Sequence, residues 1–211
     1  MSWGGRWLLV GIAFLLFLAG CSRQPPLPHL APDAVILAFG DSLTYGTGAG
    51  VGESYPVRLE QLLHRPVVNS GVPGETTAEG LQRLPRVLDE VRPQLLVLCL
   101  GGNDFLRHLD AAETQGNLRR MILLARRHDV PVVLIGVPRL GLLLKTAPMY
   151  SALAKEMNIP LVDDVLEEVL SDPGSKSDYI HPNAKGYDVL AQAIAQVLYD
   201  AGAVRKAQGN K

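Results

Sequence analysis

Between residues 34 and 199, short apolar runs alternate with longer segments in which apolar residues recur at helical spacing. Five runs read as strands: Ala34–Phe39, Val67–Asn69, Leu95–Leu100, Val132–Val137 and Leu161–Asp163. They are short and mostly unalternated, as strands covered on both faces are. The intervening segments predict helices over Tyr55–Leu63, Ala78–Val91, Glu113–His128 and Pro148–Met157, and a last one from Ala184 to about Tyr199. In that last helix Val189, Leu190, Ala193, Ile194, Val197 and Leu198 are spaced for one face. Asn183 stands where an N-cap is wanted. Strand–helix alternation over this length predicts an α/β fold, a parallel sheet with helices on both faces. Such sheets bind ligands at the carboxyl ends of their strands.

The pattern breaks before residue 34. Arg6 precedes an apolar stretch from Leu8 to Leu18, and Leu18-Ala19-Gly20-Cys21 follows. These are the parts of a secretory signal, and the apolar run is too short for a transmembrane helix. Leu-Ala-Gly-Cys also resembles the bacterial lipobox, whose cysteine is acylated and becomes the mature N-terminus. The expectation is a signal peptide over 1–20 and lipidation at Cys21; the alternative is an ordinary signal peptide with an incidental cysteine. Residues 21–33, rich in proline, read as an extended tether. The folded domain is then 34–201, and 202–211 a flexible tail. Export to the cell envelope follows from this reading. Ser22 in place of aspartate favours the outer membrane if the host is Gram-negative.

Composition narrows the function. Lys+Arg 20 against Asp+Glu 21, without a basic cluster, argues against a nucleic-acid partner. The 47% hydrophobic content of the 211 residues suits one well-cored domain. Only Cys21 and Cys99 are present, so no disulfide framework is expected, and Cys99 reads as a core residue within its apolar run. Neither H-E-x-x-H nor paired cysteines occur, so no metal or other cofactor is expected.

The strand ends carry small and polar residues. Gly40-Asp41-Ser42 follows the first run, Asn69-Ser70-Gly71-Val72-Pro73-Gly74-Glu75-Thr76 the second, and Gly101-Gly102-Asn103-Asp104 the third. Asp178-Tyr179-Ile180-His181-Pro182 precedes the last helix. A serine hydroxyl needs a base to become a nucleophile, and His181 is the natural one for Ser42. Asp178, three residues earlier, is placed to orient the imidazole. Asp163 and Asp164 are rival carboxylates. The N–H groups of Ser42 and Gly71 and the amide of Asn103 can form an oxyanion hole. Asp41 and Asp104 suit backbone hydrogen bonding in turns.

These four blocks, in order, resemble the SGNH or GDSL hydrolases, in the branch of bacterial thioesterase I, lysophospholipase-like enzymes and arylesterases. The resemblance runs from about Val35 to Leu198. It implies a flavodoxin-like three-layer sandwich with strand order 2-1-3-4-5. It also implies catalysis by Ser42, His181 and Asp178, with Gly71 and Asn103 in the oxyanion hole. The activity implied is hydrolysis of carboxylic esters or thioesters. The implied partners are a small ester or acyl-lipid substrate and, through Cys21, a membrane; a monomer is expected. Removal of acetyl groups from an envelope polysaccharide, and ligand binding without turnover, are the alternatives.

The glycines of Gly46-Thr47-Gly48-Ala49-Gly50-Val51-Gly52 fit neither G-x-G-x-x-G nor a Walker loop, and predict a mobile loop beside Ser42. After the fourth run, the leucines of residues 139–145 (Leu140, Leu142, Leu143 and Leu144) either begin a buried helix or, with Leu106 and Pro138, form an apolar wall for an acyl chain. On the second reading Leu142→Asp depresses hydrolysis of long-chain esters more than of acetates. Equal loss on both removes the wall.

Overall fold

The computed structural model describes residues 24–139 and 144–206. Cys21 with its leader, the three leucines Leu140, Leu142 and Leu143, and the last five residues lie outside the described residues.

The central strands are β1 (Ile36–Gly40), β3 (Leu95–Cys99) and β4 (Val132–Ile135), every residue of which is buried. Each such Leu or Ile contributes roughly 1.5–3 kcal/mol by leaving water, which is why these runs show no alternation. β2 (Val67–Gly71) and β7 (Leu161–Val162) close the two edges. The order is β2-β1-β3-β4-β7 with every pairing parallel, the expected topology with β7 as fifth strand. The edges are less covered: β7 leaves Leu161 half-buried, and β2 leaves Val68 exposed.

The helices flank this sheet. α2 (Tyr55–Leu63) and α7 (Val165–Ser171) pack against the last helix, α8 (Ala184–Asp200). α3 (Thr77–Val91) and α6 (Pro148–Met157) pack against α5 (Ala111–Arg127). Capping fixes where they start. Thr76 and Glu79 form a reciprocal capping box on α3, and Asn183 accepts from Gly186 N–H on α8, as its position predicts. Two short helical turns, α1 (Ser42–Tyr45) and α4 (Gly102–Leu106), stand directly after β1 and β3. At four and five residues they are too short to leave a periodic signal. A two-stranded antiparallel ladder, β5 (Pro138–Arg139) with β6 (Lys145–Thr146), projects beyond β4.

The proline-rich segment does not stand off as a tether from Gln24 onward. The Gln24 side chain both donates to and accepts from the Leu161 backbone, each at 3.2 Å, at the β7 edge of the sheet. Leu27 N–H donates to Ala201 O and Leu30 N–H to Ala203 O. Leu30 is buried, and Arg65 donates to the carbonyls of Leu30 and Ala31. Ala203 and Val204 are buried too, so the domain starts earlier and ends later than the sequence suggested. Prolines give an extended chain whether it is free or docked; the signal lay in Leu27 and Leu30. Leu30→Ala is expected to cost roughly 2–5 kcal/mol, read as a lower urea midpoint. An unchanged midpoint would return the segment to a tether.

Candidate active site

Ser42 begins α1, immediately past the buried end of β1. Asp41 caps that turn, its Oδ1 accepting from Leu43 N–H at 3.0 Å. The opposing group is on the loop before α8. There Asp178 Oδ1 accepts from the N–H groups of Ile180 and His181, both at 2.8 Å, which folds the loop around the carboxylate. Asp178 Oδ2 lies 2.8 Å from His181 Nδ1, and His181 Nε2 lies 3.1 Å from Ser42 Oγ. A carboxylate only accepts, so Nδ1 carries the proton and Nε2 is left to accept from the Ser42 hydroxyl. Burial raises the Asp178 carboxyl, but the bonds from the His181 ring and from Ile180 and His181 N–H outweigh it, holding it below the usual range. It therefore stays a carboxylate facing the imidazole.

Ser42, His181 and Asp178 thus come together as the sequence suggested. The rivals do not: Asp163 accepts from its neighbour Asp164 N–H, and neither bonds His181. The glycine-rich loop is not merely slack. Gly48 sits at φ +95°, and a Cβ there would lie 2.1 Å from Ser177 Oγ, so it packs onto the histidine loop where a side chain cannot fit. Tyr187 Oη donates to Thr47 O beside it.

Asn103, in α4, ties three strand ends together: its Nδ2 lies 3.0 Å from Glu75 O and 3.3 Å from Asp41 Oδ2. Asp104 next to it is buried and accepts from Thr77 N–H, Thr77 Oγ1 and Thr114 Oγ1. Arg83 holds the loop after β2 through a bidentate pair with Glu75 and a bond to Ser70, its guanidinium 4.0 Å above the Phe39 ring.

Gly71 is a correction. Val72 N–H donates to Gly40 O, toward β1. Successive amides along a strand point to opposite sides, so Gly71 N–H points off the open edge of β2, where Asn69 Oδ1 accepts it at 3.0 Å. It faces away from Ser42. Gly74, on the same loop at φ +82°, donates its N–H to no acceptor among the described residues, while its carbonyl accepts from Arg107. The neighbouring Glu75 O is bonded to Asn103. The sequence signal for this is the second glycine of the same loop, three residues on.

A cavity of about 280 Å³ opens at Ser42, His181 and Asn103. Leu106 and Pro138 line it, as does Arg139. Leu144, the described member of the leucine run, lines it too; Leu43, Phe105, Val137, Leu170 and Ile180 complete its apolar wall and were not anticipated. Leu170 comes from α7, a helix the sequence reading missed. A larger depression, about 790 Å³, lies by Pro28–Ala31 and Pro131 and includes none of these groups. Among the described residues, no three His, Cys, Asp or Glu side chains gather as metal ligands.

Asp41 gives the site a pH-dependent element. Burial pushes its carboxyl from 3.8 up to about 7; the Leu43 N–H opposes this, while the Glu75 and Asp104 carboxylates add to it. The folded chain therefore holds this proton more tightly than the unfolded one. The resulting stability is present below about pH 4 and lost as pH rises through about 7. Asp41→Asn is expected to gain melting temperature relative to wild type between those two values. Parallel melting profiles from pH 4 to 8 would locate the ionisation elsewhere.

Comparison with known proteins places this geometry. The sequence model of the GDSL-like Lipase/Acylhydrolase family matches residues 38–189. The chain is 34% identical over 178 residues to "Esterase TesA" of Pseudomonas aeruginosa, covering 79% of this chain and 89% of that one. It is 30% identical over 171 residues to "Thioesterase 1/protease 1/lysophospholipase L1" of Escherichia coli K12, covering 77% and 82%. The crystal structure of AlinE4, described as an SGNH-hydrolase family esterase, superposes with a TM-score of 0.64 at 37% identity, covering 82% and 98%.

Proposed function

Because the chain belongs to the GDSL-like lipase/acylhydrolase family, we propose that it hydrolyses carboxylic esters or thioesters through an acyl-enzyme on Ser42. The observation that carries this reading is the continuous line Ser42 Oγ–His181–Asp178, with contacts of 3.1 and 2.8 Å, at the mouth of an apolar cavity. Ser42 Oγ attacks the carbonyl carbon as its proton passes to His181 Nε2. Asp178 keeps the other ring nitrogen protonated and stabilises the imidazolium. The proton then goes to the leaving oxygen or sulfur, and the same histidine draws a proton from the water that releases the acid.

The oxyanion falls to the Ser42 N–H, the Asn103 amide and, in place of Gly71, the Gly74 N–H. Asn103 gives up its longer contact, 3.3 Å to Asp41, to turn one N–H on the substrate. Its 3.0 Å bond to Glu75 O stays, so the amide pivots without leaving its place, and a donor held at the oxyanion position is what gives such a group its share of the rate.

The apolar wall favours an acyl chain over an acetyl group as the bound moiety, so acyl esters, thioesters or lysolipids suit it better than acetylated polysaccharide. At about 280 Å³ it sits at the small end of ligand cavities. Lipidation at Cys21 and residence in a cell envelope, on its periplasmic face, remain part of this reading, supported by Leu18-Ala19-Gly20-Cys21.

Hydrolysis of p-nitrophenyl esters from acetate to palmitate is expected in the wild type and absent in Ser42→Ala. Equal turnover in a folded Ser42→Ala chain would refute the acyl-enzyme, and an optimum at acetate would favour the deacetylase. Asn103→Ala is expected to lower kcat roughly 10²–10³-fold. A change confined to KM would contradict the oxyanion role.

A further inference from the structure

Among the described residues, the cavity wall is apolar apart from the reacting groups, the Asp41 carboxyl, His108 and one formal cation. That cation is Arg139, on β5 at the cavity rim. Its guanidinium lies 5.3 Å from the centroid of Phe105, another lining residue, so ring and cation attract and the head is held over the cavity wall. Among the described residues it donates to no carboxylate or carbonyl.

The local ladder makes this placement costly without a counter-charge. Arg139 pairs directly with Lys145 across β5 and β6. Like charges opposite one another on a ladder repel. Lys145 is relieved, because Glu167 of α7 takes its ammonium as an ion pair. Among the described residues nothing comparable relieves Arg139. The carboxylates nearest the reacting groups are already committed: Asp178 to His181, and Asp41 to Leu43 and Asn103. Asp41 is moreover buried, with its carboxyl pushed up to about 7. The mouth of the cavity therefore presents an unspent positive charge.

We infer that Arg139 recognises an anionic group on the substrate, so that the preferred ester pairs an apolar segment with a carboxylate, phosphate or sulfonate. A guanidinium suits this task because its planar donors meet two oxygens of such a group at once. The apolar wall takes the hydrocarbon, and the anion sets which end enters and how far. This deepens the esterase reading and rests on it. The anion belongs either to the far end of the acyl chain or to the leaving group.

Two substrate pairs separate those sources. Mono(4-nitrophenyl) glutarate against 4-nitrophenyl valerate places the charge on the acyl side. Butyryloxybenzenesulfonate against phenyl butyrate places it on the leaving group. The readout is the ratio of kcat/KM for the anionic ester to that for its neutral partner, in wild type, Arg139→Gln and Arg139→Lys. Taking ratios cancels differences in intrinsic reactivity and any general effect of the substitution. In at least one pair the ratio is expected to fall about fivefold in Arg139→Gln, the upper range for an exposed charge pair. It should recover in part in Arg139→Lys and shrink in wild type as salt is added. Ratios unmoved by Arg139→Gln in both pairs, with neutral esters still cleaved by wild type, overturn the inference and leave the esterase standing. A wild type inert toward all four esters overturns both.

Discussion

The rim of this sheet depends on how tightly β1 is held between its neighbours at the point where it ends. Gly40 is in register with Gly71 on one side and Cys99 on the other. A Cβ there would lie 2.2 Å from Cys99 O and 2.3 Å from Thr44 Oγ1. The absence of a side chain lets α1 fold directly back over the strand end, so Ser42 emerges at the junction of three strands. β1 pairs with strands that come later in the chain on both sides, and the crevice between such divergent crossovers is where α/β sheets place ligands. The nucleophile is thus delivered by packing, before any of its partners is considered.

What holds the remaining loops is polar and mostly buried. Asp41, Glu75, Thr77 and Asp104 are nearly inaccessible, and each is satisfied through groups from another loop or from its own turn. Buried polar groups are costly when unpaired and rigid when paired. Here they join the ends of β1, β2 and β3 through Asn103 and through Arg83. The same network leaves carboxylates close together, which together with burial explains the raised Asp41 carboxyl. A site stiff enough to hold donors in place has been built from groups that repel one another.

Much of this was legible in the chain. Buried strands show as apolar runs because both faces are covered, and four polar blocks stand at the ends of those runs or before α8. Asp178 and His181 are close in sequence because a single loop must present both. Legibility failed where the deciding fact was direction or partnership. Nothing in the letters says which way the Gly71 amide points; that follows from β2 being an edge strand. The docking of Leu27 and Leu30 depends on residues past α8, more than 160 positions away. α1, α4 and the β5–β6 ladder are too short for any periodicity. The cavity wall drew on Leu170 and Ile180, which share a surface with Leu106 only after folding.

The clasp between the ends of the chain also bears on when the domain becomes whole. Gln24 bonds Leu161, and Leu30 bonds Ala203, near the last described residues. Ser42 likewise meets its base 139 positions later. Pairings this distant are slow to find, since closing long loops precedes any reward from the contact. During synthesis the first segment has nothing to grip until the last helix exists. The enzyme therefore assembles its reactive serine and seals its own N-terminal border in one late event. A chain still emerging from synthesis carries the nucleophile without its base.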